Sequence, residues 1–306
     1  MTARPRVSVV IPHAIRSNAS DLSTFARQVE DAGLDGLFTG DHLAAATPLA
    51  DSTLTLAVAA AATTRIQVGF GVMVLALRHP AWAAKQVATL QQLSRNRVIL
   101  GVGLGGAAHG TAAWDAVGVP YRDRAARTDA ALKILRGLIE GKPTELPGGT
   151  ELTLAPGAPP PPIWIGGGGA AARRRTAAYG DGWFPSMITP EGVATGAAHL
   201  AELCAGQGRA EKPAIAVGGS VLLGEARPDG ALEAHVGALI SGYGIPPRVA
   251  AELPLTGPPA AVAERLRSYA SAGARHIVLG LIGDGWRQQC HLLAEAVALA
   301  LYRDKA

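Results

Sequence analysis

The chain has 306 residues, of which 48% are hydrophobic and 17% charged, a balance that excludes a disordered protein. With 28 Lys and Arg against 24 Asp and Glu, and no dense basic run interleaved with aromatics, nothing in it reads as a nucleic-acid footprint. Cys204 and Cys290 lie far apart without ligand-like spacing, which argues against a zinc site or a disulfide framework.

Val7 to Ile11 reads as the first strand, stopped by Pro12 and too short for a signal segment. Ser20 or Asp21 is expected to cap a helix whose apolar positions Leu22, Phe25, Ala26, Val29 and Ala32 follow helical spacing up to Gly33. Asp35 to Thr39 is the second strand, ending in Gly40-Asp41-His42. A helix over 53–63 leads to a third strand, Ile66 to Val74. Pro80 suits the first turn of the next helix, with His79 marking its start and Trp82, Ala83, Val87, Leu90 and Leu93 as its stripe. The fourth strand is 97–103. A loop then runs to Pro120, and a helix covers 121–140.

Residues 142–161 are a Pro- and Gly-rich connection. Ile163-Trp164-Ile165 is the fifth strand, followed by four glycines and the helical run AAARRRTAAYG. Trp183-Phe184 is the sixth strand, 190–207 a helix, and 214–223 the seventh strand. Residues 224–257 show no clear unit, and a loop that long is usually functional or mobile. A helix over 258–272, an eighth strand at 276–281 and a helix over 288–302 complete the chain. No run reaches the roughly 18 to 20 apolar residues of a membrane helix. A cytoplasmic protein with neither membrane nor nucleic-acid partner is expected.

Eight strand–helix units in one chain predict a single α/β domain over 1–306, a (β/α)8 TIM barrel with loop insertions; an open doubly wound sheet is the rival. In a barrel the active site is built at the strand C-termini, from 12–20, 40–52, 76–79, 103–120, 166–169, 184–190, 224–257 and 283–286. Gly166, Gly167, Gly168 and Gly169 fall at that end. Strand, glycine loop and helix start bring N–H groups and the helix dipole onto an anion, so a phosphate site is expected there; a mere close-packing turn is the alternative. Gly166, Gly168 and Ala171 also satisfy G-x-G-x-x-A, but no acidic residue ends the next strand at dinucleotide spacing. Arg173, Arg174 and Arg175 follow, and at 3.6 residues per turn they cannot all face one ligand.

His42 is the candidate catalytic residue, as a proton carrier or hydrogen-bond donor, with Asp41 orienting it or capping the loop. Gly69, Gly71, Gly101, Gly103, Gly105 and Gly106 bare the backbone of strands three and four. They leave room either for a flat ring or for bulges. His109 and Trp114 are further candidates. Arg122, Arg124 and Arg127 with Asp123 and Asp129 read as a solvated helix entry with local ion pairs. The sequence has no H-E-x-x-H, G-x-S-x-G or P-loop Lys, and no metal is expected.

The segments GLDGLFTGDH, GVMVLALRHP leading into AAKQVATLQQLSRNRVILGVG, GVPYRDRAARTDAALKILRGL, PPPPIWIGGGGAAARRRTAAYGDGWFP and GPPAAVAERLRSYASAGARHIVLG resemble, in order, the luciferase-like monooxygenase superfamily, in particular its branch using the deazaflavin coenzyme F420. The resemblance implies an oxidoreductase moving hydride between F420 and a small organic substrate, in a homodimer or higher homo-oligomer. It places the cofactor phosphate on Gly168 and Gly169 with Ser186 adding a hydroxyl, the ring near His42, and a cis peptide bulge at Gly71–Val72 behind that ring. It also implies that residues 224–257 are an insertion over the active site. The alternatives are an FMN-dependent monooxygenase and a flavin-binding barrel without turnover. Related sugar-phosphate dehydrogenases carry a carboxylate where this chain has Gly106, and a Trp where it has Ala44-Ala45-Ala46, so sugar dehydrogenation is not expected. The all-glycine loop, without the Ser of FMN-using relatives, tilts the expectation toward F420.

Overall fold

A computed structural model describes residues 5–44, 49–106, 110–224 and 230–301. The first half of the chain lays down β1 (Arg6–Val10), α1 (Ala19–Asp31), β2 (Gly36–Thr39), α2 (Ser52–Ala62), β3 (Gln67–Val74), α3 (Pro80–Ser94) and β4 (Val98–Gly103). The cap of α1 is Asn18, whose side chain accepts from the Ser20 and Asp21 amides; the expected Ser20 or Asp21 cap is thus displaced by two or three residues. His79 caps α3 through Nδ1, as its place before Pro80 suggested. Gly33 follows α1 with φ +79°, the left-handed turn that lets the chain re-enter the sheet at β2.

A short helix α4 (Ala112–Ala116) breaks the predicted loop before α5 (Arg124–Glu140). The Pro- and Gly-rich connection holds a small hairpin, β5 (Thr144–Glu145) with β6 (Glu151–Leu152). Then come β7 (Ile163–Gly166), α6 (Ala170–Tyr179), β8 (Gly182–Phe184), α7 (Pro190–Gly206) and β9 (Ala214–Leu223). The stretch 224–257, in which no unit was legible, contains α8 (Ala231–Tyr243), α9 (Pro247–Glu252) and β10 (Leu255–Gly257). The chain closes with α10 (Pro259–Ser271), β11 (His276–Leu281) and α11 (Trp286–Leu301). Among the described residues no helix is long and apolar enough to cross a membrane.

The strands pair in parallel in the ring β1-β2-β3-β4-β7-β8-β9-β11, which closes through β11 on β1. This is a (β/α)8 barrel. Alternation along each strand sorts its side chains into two layers. Leu37, Leu100, Ile163, Ile165, Ile277 and Leu279 face the helices, while Phe38, Ile99, Trp164 and Val278 fill the barrel interior.

The same alternation turns Gly69, Gly101 and Gly103 inward, and here the structure decides between the two readings of the strand glycines. A Cβ on Gly69 would lie 2.2 Å from the Phe38 ring, one on Gly101 2.1 Å from the Phe70 carbonyl oxygen, and one on Gly103 2.3 Å from Val72 Cγ2. The pairing of β3 with β4 slips by one residue between Phe70 and Met73, and the Gly71–Val72 peptide within that slip is cis. Gly101 and Gly103 are therefore packed against the β3 bulge and Val72, and Gly69 against Phe38, whereas Gly71, Gly105 and Gly106 lie outside that filling.

Toward the floor of the barrel His276 is buried among Phe38 and Trp164, with Nε2 2.6 Å from Ser8 Oγ. Burial, with Arg6 adding repulsion, holds its pKa down at about 3. Unfolded, a histidine titrates near 6.5. Between those values the unfolded chain binds the extra proton, so this stabilisation is complete above pH 6.5 and is lost as pH falls toward 3. Denaturant titrations should therefore show wild type losing about 2 kcal/mol more between pH 7 and pH 5 than His276→Gln does. Equal losses would remove His276 as the cause.

Candidate functional site

At the C-terminal ends of the strands a cavity of about 680 Å³ opens among β1 to β4, β7 to β9, and the helix α8. Its floor is the top of the barrel interior, Val10, Val72, Phe184 and Val278. Asp41, His42, Gly71, Val72, Gly103, Gly105, Gly166, Gly167, Gly169 and Ser186 all line it, which brings together every predicted site residue except Gly168. Gly168 sits between two of them in the same exposed loop.

The glycine loop is held by its neighbours. Gly167 adopts φ +110°, a conformation that only glycine takes without strain. Its N–H donates to Phe184 O at 3.3 Å, and its carbonyl accepts from Trp183 Nε1 at 2.8 Å. Arg173 Nη1 donates to the Gly168 carbonyl at 2.7 Å, and its Nε reaches His199 Nδ1 at 3.0 Å. The carbonyls of this loop are thus turned onto protein donors. Among the described residues, the N–H groups of Gly168, Gly169, Ala170 and Ala171 meet no protein acceptor. A Cβ built on Gly168 or Gly169 meets no atom within 4 Å. Unpaired donors, open space and a helix start describe an anion cradle.

The arginines supply little of it. Arg174 is exposed. Arg175 reaches the cavity wall, but its Nε and Nη2 donate to Asp129 of α5 at 2.5 and 3.1 Å. Asp129 therefore belongs to a pair between helices, unlike the local pairing expected at the α5 entry. Arg124 instead lies over Tyr121 at 3.9 Å, and Arg127 donates to the Ala76 carbonyl.

Asp41 is held by residues distant in the chain. Its carboxylate is buried and fully used: Oδ1 accepts from Ser52 Oγ at 2.8 Å and Arg78 Nη2 at 2.7 Å, Oδ2 from the Val74 amide at 2.9 Å and Arg78 Nη1 at 2.5 Å. Burial works against the Arg78 charge, yet the Asp41 hydrogen bond and charge outweigh it and raise the guanidinium pKa. This clamp ties the end of β2 to the end of β3 and to the start of α2. His42, next in the chain, is half-buried on the cavity wall beside Gly40: a Cβ there would lie 3.5 Å from His42 Nε2.

Trp114 also lines the cavity, edge-on to Tyr121, and blocks any side chain at Gly105 at 2.9 Å. His109 lies outside the described residues. Gly106 lines the cavity with no side chain to offer. Sequence reasoning missed His235, Leu239 and Tyr243, which line the cavity from α8. Their spacing of four was the available signal, hidden because 224–257 was read without a helix. His235 Nε2 is buried without a hydrogen-bond partner, and desolvation lowers the imidazole pKa below 6.5.

Comparison with known proteins agrees with this architecture. A solved F420-dependent secondary alcohol dehydrogenase superposes with a TM-score of 0.83 over 97% of this chain and 99% of its own, at 18% identity. The FMN-bound oxygenating constituent of 3,6-diketocamphane monooxygenase from Pseudomonas putida gives 0.78 over 99% and 100%, at 17% identity. In sequence, the F420-dependent glucose-6-phosphate dehydrogenase of Kineococcus radiotolerans is 38% identical over 125 residues, 38% of this chain and 36% of the relative. The chain thus spans well under half the length of the curated relatives it matches. A profile of luciferase-like monooxygenases matches residues 6–251, from β1 through α8 and into α9, and the chain belongs to that family.

Proposed function

We propose that the protein is an F420-dependent oxidoreductase acting on a small organic substrate. The observation that carries this reading is the set of unpaired N–H groups at Gly168 to Ala171 beside a cavity floored by apolar side chains. Those donors fit a cofactor phosphate, with Ser186 on the neighbouring wall, and Val72 offers a flat ring its support. When bound, the deazaflavin supplies the hydride donor or acceptor; the protein's part is to orient it and exclude water. In this reading His42, whose presence on the cavity wall supports the role, holds or delivers a proton at an imidazole nitrogen.

The F420-dependent relatives support the choice of deazaflavin, as does the loop without serine. FMN, whose phosphate suits the same cradle, is the alternative. It would make the enzyme a monooxygenase, since a deazaflavin lacks the ring nitrogen used in oxygen activation. Titrating the purified apoprotein with F420 and with FMN, followed by fluorescence, separates them. F420 is expected to bind; FMN binding without F420 would overturn the assignment. Turnover after binding separates an enzyme from a carrier. The exposed Leu54 of α2, with Trp82 and Leu93 of α3, supports a homo-oligomer, and a monomer mass in sedimentation equilibrium would contradict it.

A further inference from the structure

The cavity has an unusual charge inventory. Among the described residues that line it, the ionised side chains are Asp41 and Arg175, and each is spent on an opposite charge, Arg78 and Asp129. Among the described lining residues no arginine or lysine is left to receive a second phosphate or a carboxylate on a substrate, and no carboxylate is left to receive an ammonium group. Burying an unpaired charge there would cost more than burying an apolar body.

One wall of the cavity comes from α8. His235, Leu239 and Tyr243 stand at i, i+4 and i+8, so one helical face presents all three, and Leu253 continues the apolar surface beyond α9. Leu239 and Leu253 are packed with Ala250 in a small core that joins α8 to α9, which holds this face in place. Tyr269 adds a further surface, its hydroxyl already donated to the Ile188 carbonyl at 2.8 Å. His235 differs from its neighbours. Its Nε2 is withdrawn from solvent with no partner, a state that native proteins rarely leave unexplained. Desolvation keeps the ring neutral at pH 7, with one nitrogen able to donate and the other to accept. Such a ring can serve a carbonyl or a hydroxyl equally.

We propose that the α8 face is the substrate wall, and that His235 is the hydrogen-bonding residue for an uncharged, largely apolar carbonyl or alcohol compound whose body packs on Leu239, Tyr243 and Leu253. The proposal rests on the oxidoreductase reading for the reaction, but the wall itself is a property of the apoprotein. It makes this chain differ in substrate class from its sugar-phosphate-oxidising relatives.

The test is calorimetric titration of apoprotein, and of protein saturated with whichever of F420 or FMN it binds, using 2-octanone, octanoate and glucose 6-phosphate as probes. The ketone is expected to bind at least about tenfold more tightly than either anion. His235→Phe keeps the ring and removes the nitrogens; it should weaken ketone binding about tenfold with the cofactor affinity unchanged, and His235→Gln should recover part of the loss. Tyr243→Lys, at the exposed end of the same face, guards against a folding defect at 235. It supplies the missing cation and should shift preference toward octanoate. Octanoate or glucose 6-phosphate binding as tightly as 2-octanone to the cofactor-saturated wild type, in which the glycine cradle is filled, would overturn the proposal, as would unchanged ketone affinity in folded His235→Phe. If neither cofactor binds, the oxidoreductase reading falls, while the ketone affinities of apoprotein wild type and His235→Phe still decide the wall.

Discussion

Gly168→Asp is expected to weaken cofactor binding by about 100-fold, whereas Gly168→Ala should change it by less than about threefold. The contrast follows from two features of the loop. A Cβ at position 168 meets no atom within 4 Å, and the residue is not in the left-handed region, so a side chain folds there without strain. What aspartate adds is a negative charge beside N–H groups that have no protein acceptor. Two like charges about 4 Å apart repel by about 4 kcal/mol at an effective dielectric of 20, and exposure of the loop trims this toward the 100-fold level. Fluorescence titration of both variants, with a thermal melt to show that each is folded, checks the result. Equal affinities for the two variants would place the phosphate elsewhere.

Asp41→Ala carries the largest expected effect on stability, a loss of about 3 kcal/mol in the apoprotein. The carboxylate is 5% exposed and accepts four hydrogen bonds, two of them from Arg78, which is itself only 19% exposed. Removing it leaves a largely buried guanidinium, the Ser52 hydroxyl and the Val74 amide without their acceptor. Pairing Asp41→Ala with Arg78→Met should restore part of the loss, because the stranded charge goes too. The outcome decides what Asp41 is for. A stability loss in the absence of cofactor assigns it to the clamp that joins β2, β3 and α2; an unchanged urea midpoint together with weakened cofactor binding would return it to the cofactor.

Much of this site was legible in the sequence for a plain physical reason. β-Branched runs that end at Gly or Pro, helices with apolar residues three and four apart, and glycines at helix ends are local signals. They set the order of the strands, hence the barrel, and hence which end carries the site. The glycine cluster after Ile165 and the Asp41-His42 pair are likewise local, so their placement at the mouth of the barrel followed once the ring was inferred.

Other assignments depended on partners distant in the chain. Whether Gly101 and Gly103 make room for a ligand or for protein turns on a bulge in the neighbouring strand, and only the pairing of β3 with β4 shows that Val72 takes the space. Arg175 looked like one of three cations in search of an anion until the fold brought Asp129 to it from α5. Asp41 looked like a companion of His42, and the fold makes it the acceptor for Arg78, 37 residues on. The helix α8 was missed because its pattern is weakly amphipathic and set between Gly- and Pro-rich stretches, yet tertiary packing against α9 turns it into a wall of the cavity. By itself, the sequence determined the succession of elements and the residue types offered at the strand ends, since both follow from short-range sterics and hydrophobic periodicity. Only the tertiary structure decided which of those groups are already paired and which remain open to a ligand, because pairing across a barrel joins residues that no local pattern connects.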